Sequence, residues 1–104
     1  MTITERNTRL VEFFGRCNQI LQKKGGDYNP SGIAFDDLEE AAKDLGIKKS
    51  GVLWIYMGKH ISAIRSYIRY NKMHSENIGG RLMDLANYCA MMAVLLKTER
   101  RAIR

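Results

Sequence analysis

The sequence predicts an all-α fold, a compact arrangement of four helices, three long and one short, in a single domain of 104 residues. Three observations predict it. Apolar residues recur at i, i+3, i+4 and i+7 in four segments, the period of a helix with one buried face. No segment shows the strict alternation of a convincing strand. The breaks between segments collect glycine, asparagine and the sole proline, residues suited to turns.

The first helix is expected from about Thr4 to Lys24. Leu10, Phe13, Phe14, Cys17, Ile20 and Leu21 form its buried stripe. Thr2 and Glu5 have the spacing of a capping box, and Gly25-Gly26 offers a stop. The second helix is short, about Asp37 to Leu45, with Asp36 or Asp37 as its cap and Gly46 as its end. The third runs from about Gly51 to Asn71, with Ser50 as its cap. Its broad apolar face runs from Leu53 to Ile68, and Val52, Trp54 and Ile55 make its first turns apolar on nearly all sides. Such a segment is either deeply buried or part of a subunit interface. A short connection, "NKMHSE", makes the third and fourth helices antiparallel neighbours.

The fourth helix is expected from about Asn77 to Arg100. Ile78, Leu82, Leu85, Cys89, Met92 and Leu96 alternate spacings of four and three, a seam of coiled-coil type. Ala86, Ala90 and Ala93 add a second face for close packing. Gly79 and Gly80 fall in the first turn, where each costs about 1 kcal/mol against alanine. Either the helix starts later, or something there needs close approach.

Composition narrows the function classes. Seventeen Lys and Arg against eleven Asp and Glu leave a net charge of +6, which favours anionic partners. No apolar run approaches the roughly 18 to 20 residues of a membrane span, and the polar "MTITERNTRL" is no secretory signal. Two cysteines, Cys17 and Cys89, on apolar helix faces and with no metal-ligand spacing, read as buried, reduced thiols of a cytosolic protein. The apolar start of the third helix and the narrow seam of the fourth lead us to expect a homo-oligomer.

Three stretches carry candidate chemistry. In "KKGGDYNPSG" a turn accounts for the glycines, Asn29 and Pro30, but not so easily for Asp27 and Tyr28. These two cap and pack, or they form one lip of a ligand loop. In the third helix Lys59 and Arg65 straddle the apolar face, either as a solvated surface or as a wall that binds phosphate. His60 has no partner evident in the sequence. In "GGRLMDLANY" Arg81, Asp84 and Tyr88 share one side of the helix, with Asn87 one step round. Asp84 either pairs with Arg81 or, with Asn87, serves a site beside the apolar seam.

The succession "KKGGDYNP", "AFDDLEEAAKDLGI", "VLWIYMGKHISAIRSY" and "ENIGGRLMDLANYCAMM" resembles the first nucleotide-modification-associated domain family of phage and bacterial proteins. The likeness covers about residues 20–97, and its final helix is the most specific part. It implies an all-α fold and a role in nucleotide metabolism or modification, with a more distant likeness to MazG-type nucleotide pyrophosphohydrolases. Carried over, the loop motif implies Lys24, Asp27 and Tyr28, the third helix Lys59 and Arg65, and the last helix Glu76, Asp84 and Asn87. Tyr88 stands beside them. The chain departs from the family where relatives tend to show an acid pair, since here Gly79 and Gly80 precede Arg81. That exchange removes metal ligands and adds a phosphate-binding group.

The expected function is therefore a nucleotide-binding protein that holds a phosphorylated or cyclic nucleotide without cleaving it and without a cofactor. In the phage setting implied by the resemblance, it acts in the cytoplasm of a bacterial host as a sponge for a defence signal. The alternative is a Mg²⁺-dependent nucleotide hydrolase or an accessory of nucleotide modification, with Asp27, Glu40, Asp44, Glu76 and Asp84 as its acids. Direct binding to nucleic acid ranks third, because no helix-turn-helix or other nucleic-acid motif stands out.

Overall fold

A computed structural model describes the backbone of residues 1–28, 31–71 and 77–103, and the side chains of 1–24, 31–71 and 77–100. Among the described residues there are four α-helices and no strand: α1 (Ile3–Tyr28), α2 (Glu39–Leu45), α3 (Lys49–Tyr70) and α4 (Ile78–Ile103). A short 3₁₀ turn, Asp36–Leu38, leads into α2. None of these helices is long and apolar enough to cross a membrane.

The capping box at the start of α1 forms in both directions. The Glu5 N–H donates to Thr2 Oγ1 at 3.1 Å, and the Thr2 N–H donates to Glu5 Oε2 at 3.3 Å. The carboxyl end departs from expectation, because α1 runs through Gly25 and Gly26 to Tyr28. Glycine permits a stop but does not impose one. Two glycines cost about 2 kcal/mol together against alanine, and a long helix already formed on one side absorbs that cost.

Neither Asp36 nor Asp37 caps α2. Phe35 precedes the 3₁₀ turn in a left-handed conformation (φ 63°), and no side chain caps either element. Asp36 instead accepts a hydrogen bond from the Ser31 hydroxyl. Gly46 ends α2 as expected, with φ 65°, a conformation open to glycine at no steric cost.

Ser50 does not cap α3 either. Lys48 occupies that position, and Ser50 lies inside the first turn. There its N–H and hydroxyl both donate to the Glu99 carboxylate of α4, at 3.1 and 2.7 Å. The amino terminus of α3 is thus satisfied by an acid 49 residues away, with the sign the helix dipole favours. Lys49, beside it, bonds Glu39 of α2 at 2.7 Å.

The fully buried core gathers Leu38, Ala42, Val52, Leu53 and Leu95, with Phe35, Tyr56, Tyr88, Met91 and Met92 packed around it. Antiparallel packing of α3 on α4 forms its frame, and α2 covers one end. The apolar opening of α3 divides sharply. Val52 and Leu53 are 1% exposed, whereas Trp54 is 61% and Ile55 49% exposed.

Only part of the seam expected on α4 meets the core, through Met92. Leu82, Cys89 and Leu96 are exposed, whereas Tyr88, Met91 and Leu95 face inward. The apolar positions of α4 surround most of the helix, so spacing alone did not single out the buried side. α4 begins at Ile78, so Gly79 and Gly80 do lie in its first turn, and the side chain of Asn77 is their neighbour there. The Asn77 side chain caps α4, its Oδ1 accepting from the Gly80 N–H, and a β-carbon on Gly80 would stand 3.3 Å from that oxygen.

Candidate functional site

Five of the candidate residues and His60 fall into two polar groups, one where α4 meets α1 and one where it meets α3. α1 contributes Lys24, α3 contributes His60, and α4 contributes Arg81, Asp84, Asn87 and Tyr88. The spacing on α4 explains the convergence: residues 81, 84 and 88 follow one side of a helix, and 87 turns toward α1.

Asn87 is the anchor. It is buried, and its amide donates to the main-chain carbonyl of Cys17 at 2.9 Å. A carbonyl inside a helix normally serves only its own helix, so this contact uses its second lone pair and fastens α1 to α4. One turn earlier Asp84 lies 3.4 Å from the Lys24 ammonium, with the two side chains 21% and 48% exposed. Asp84 thus pairs across helices with a residue 60 positions away.

Arg81 turns the other way. One guanidinium nitrogen lies 3.5 Å from His60 Nδ1, and the His60 ring stands 5.2 Å from the Tyr88 ring, tilted by 48°. His60 therefore belongs to the group where α4 meets α3. Its place was not legible from spacing because its partners are on α4, 21 and 28 residues on. The signal available in the sequence was its position on the apolar face of α3.

Burial pushes the thiol of Cys17 above its ordinary pKa, its own backbone hydrogen bond opposes this, and the negative charge of Asp84 raises it further. The thiol is therefore kept protonated and unreactive.

The remaining candidates are placed differently. Lys59 is exposed, its ammonium 5.8 Å from the centre of the Tyr56 ring. Arg65 is exposed, five residues beyond His60 and so roughly 140° round the helix from it. Asp27 and Tyr28 form the last residues of α1 rather than a loop, and their side chains lie outside the described residues. Glu76, and the turn histidine His74, also lie outside them. Glu40 and Asp44 are exposed on α2, which packs against α3 and the 3₁₀ turn. Among the described residues no three acid, histidine or cysteine side chains stand together as metal ligands.

Chemically the two groups together offer two cations, Lys24 and Arg81, one carboxylate, an imidazole and a phenol-bearing ring. Cations match phosphate, the carboxylate accepts from hydroxyl or amino groups, and the rings offer apolar faces. Compared with known proteins, the chain matches no family model, no curated protein and no solved structure.

Proposed function

We propose that the protein binds a phosphorylated or cyclic nucleotide and releases it intact. The observation that carries this reading is that α4 sets Asp84 against Lys24 of α1 and places Arg81 and Tyr88 beside His60 of α3, with Asn87 fastening α1 to α4. Lys24 and Arg81 are the groups for phosphate, Asp84 for a ribose hydroxyl or a base amine, and Tyr88 for a ring. The net charge of +6 adds long-range attraction for an anion. The resemblance of the sequence to nucleotide-modification-associated domains supports the ligand class and supplies the phage setting, in which sequestration blunts a host signal. The same reading makes the working unit an oligomer, since a small chain encloses more of a ligand when subunits share the site.

Isothermal titration against linear nucleotides, cyclic nucleotides and ADP-ribose derivatives tests it, with Mg²⁺ and with EDTA, followed by chromatography of the recovered ligand. Binding that survives EDTA, returns the ligand unchanged and is lost in Arg81→Ala is the expected result. Product formed only with Mg²⁺ overturns sequestration in favour of hydrolysis.

A further inference from the structure

The net charge of +6 is not spread over the molecule. Residues 46–75 hold six of the seventeen Lys and Arg and none of the eleven Asp and Glu, so the rest of the chain balances at eleven of each sign. The excess belongs to α3 and its flanks. Folding then sorts these cations. Lys49 is taken up by Glu39 of α2 at 2.7 Å. Lys59, Arg65 and Arg69 are exposed on α3, and none of them meets an acid among the described residues.

Helix geometry sets the three cations on one side. At about 100° per residue, Trp54, Lys59, Ser62, Arg65, Ser66 and Arg69 fall within an arc of about 140°. All six are exposed, and α3 uses its other side to pack on α2, the 3₁₀ turn and α4. Gly58 lies inside the arc. Outside its own stretch of helix nothing stands within 4 Å of where its β-carbon would be, so the face is open between Trp54 and Ser62. From Trp54 to Arg69 the face is about 22 Å long.

We propose that this face of α3 binds single-stranded nucleic acid, with phosphates on Lys59, Arg65 and Arg69 and a base stacked on Trp54. The inference shares no residue with the nucleotide site proposed above and stands without it. Charge names the class of partner. Three cations with no acid beside them match a row of phosphates, and the Ser62 and Ser66 hydroxyls are further donors to phosphate oxygens. The length of the face fits at most about six stacked nucleotides. Trp54 names the strand. An exposed indole at the end of a cation row is a stacking platform for a base whose ring face is free, which a single strand offers and a duplex does not. A helix that binds a lipid surface sinks its apolar face into it, and the apolar face of α3, with Val52, Leu53 and Met57, is already buried in the protein.

Fluorescence anisotropy of a labelled oligothymidylate of twelve nucleotides, titrated with the full chain at 50 and 200 mM salt, tests the proposal. The emission of Trp54, the sole tryptophan, is recorded in parallel titrations with the unlabelled strand. Three phosphate contacts predict a slope of about −2 for the logarithm of the association constant against that of the salt concentration, so binding weakens about twentyfold between the two salts. Trp54 emission is expected to be quenched as the site fills. Arg65→Gln combined with Arg69→Gln, its fold checked by circular dichroism, leaves one contact and is expected to cut the slope to about −0.7. Trp54→Ala is expected to weaken binding roughly tenfold or more and to leave the slope unchanged. The slope and the quenching are read on the native protein, so they decide the matter even if a variant fails to fold. No binding at 50 mM salt overturns the proposal. Binding without quenching, or equal binding of a duplex or of polyglutamate, overturns the single strand and leaves an unselective polyanion surface. Tighter binding to phosphatidylserine vesicles than to the oligonucleotide overturns it in favour of a lipid surface.

Discussion

The carboxyl half of the chain and the amino half of α1 are both helical and both carry apolar stripes, yet they live in different surroundings. In the first, Val52, Leu53 and Leu95 are at most 3% exposed, closed in by α2, α3 and α4. In the second, Leu10 is 46% and Phe14 62% exposed, although their spacing is as regular. The stripe of α1 meets the body only from about Cys17 onward. Periodicity thus states that a face is apolar, and it does not state whether the same chain supplies the cover. The capping box makes the start of α1 a good helix without help, since Thr2 and Glu5 satisfy backbone groups that packing would otherwise have to protect.

The sharpest way to test that contrast is to truncate one side chain in each region. Leu53→Ala removes a side chain with no room to relax, and we expect a loss of about 2–5 kcal/mol in urea unfolding. Phe14→Ala removes a larger one that is mostly in water, and we expect a change within about 0.5 kcal/mol. Equal losses in the two variants would mean that the amino half of α1 is packed in solution.

What was legible in the sequence follows the same division. The four helices, the Thr2–Glu5 box and the Gly46 stop are local, decided by residues within one turn, and they were readable. So was the grouping of Arg81, Asp84, Asn87 and Tyr88, because helix geometry alone puts them close. Their partners were not readable. Lys24 reaches Asp84 across 60 residues, Asn87 reaches the Cys17 carbonyl across 70, and Glu99 takes the capping role that local sequence had given to Ser50. Each of these depends on how helices stack, which periodicity leaves open.

Next in size comes the joint between the two regions. Asn87→Ala removes the buried donor to the Cys17 carbonyl, with an expected loss of about 1–3 kcal/mol. The loss should be uneven. Amide exchange is expected to speed up in the carboxyl half of α1, and Cys17 to react faster with a thiol reagent, while the Leu53 region keeps its protection until global unfolding. Uniform acceleration would show that α1 and the α3–α4 pair unfold as one unit. Glu99→Gln is gentler. It keeps one oxygen to accept from the Ser50 N–H, replaces the oxygen that accepts from the hydroxyl by an amide that can only donate to it, and loses the charge at the start of α3, with an expected loss of about 1 kcal/mol in the same unfolding measurement. No loss at all would mean that the dipole contributes nothing at this partly buried end.

The smallest effect concerns the α2–α3 corner, where Glu39 bonds Lys49 at 2.7 Å and Lys43 stands 3.9 Å away on its own helix. The hydrogen bond from Lys49, its charge and that of Lys43 hold the Glu39 carboxyl below the usual glutamate value, outweighing the opposing effect of burial. A carboxyl whose pKa is lowered by folding binds fewer protons in the native than in the unfolded chain. Its contribution is therefore fully present above the unfolded value and disappears as the pH falls through the lowered, folded one. The corner is open to solvent, so the contribution is small and screened by salt. Comparing urea midpoints of the native protein and Glu39→Gln from neutral pH into acid isolates it. The gap between the two curves is expected to be small at neutral pH, narrower in high salt, and closed once the solution is more acidic than the folded carboxyl. A gap that stays constant into acid would assign the effect to the shape of the side chain and not to its charge, and α2 would then be held on α3 by apolar packing alone.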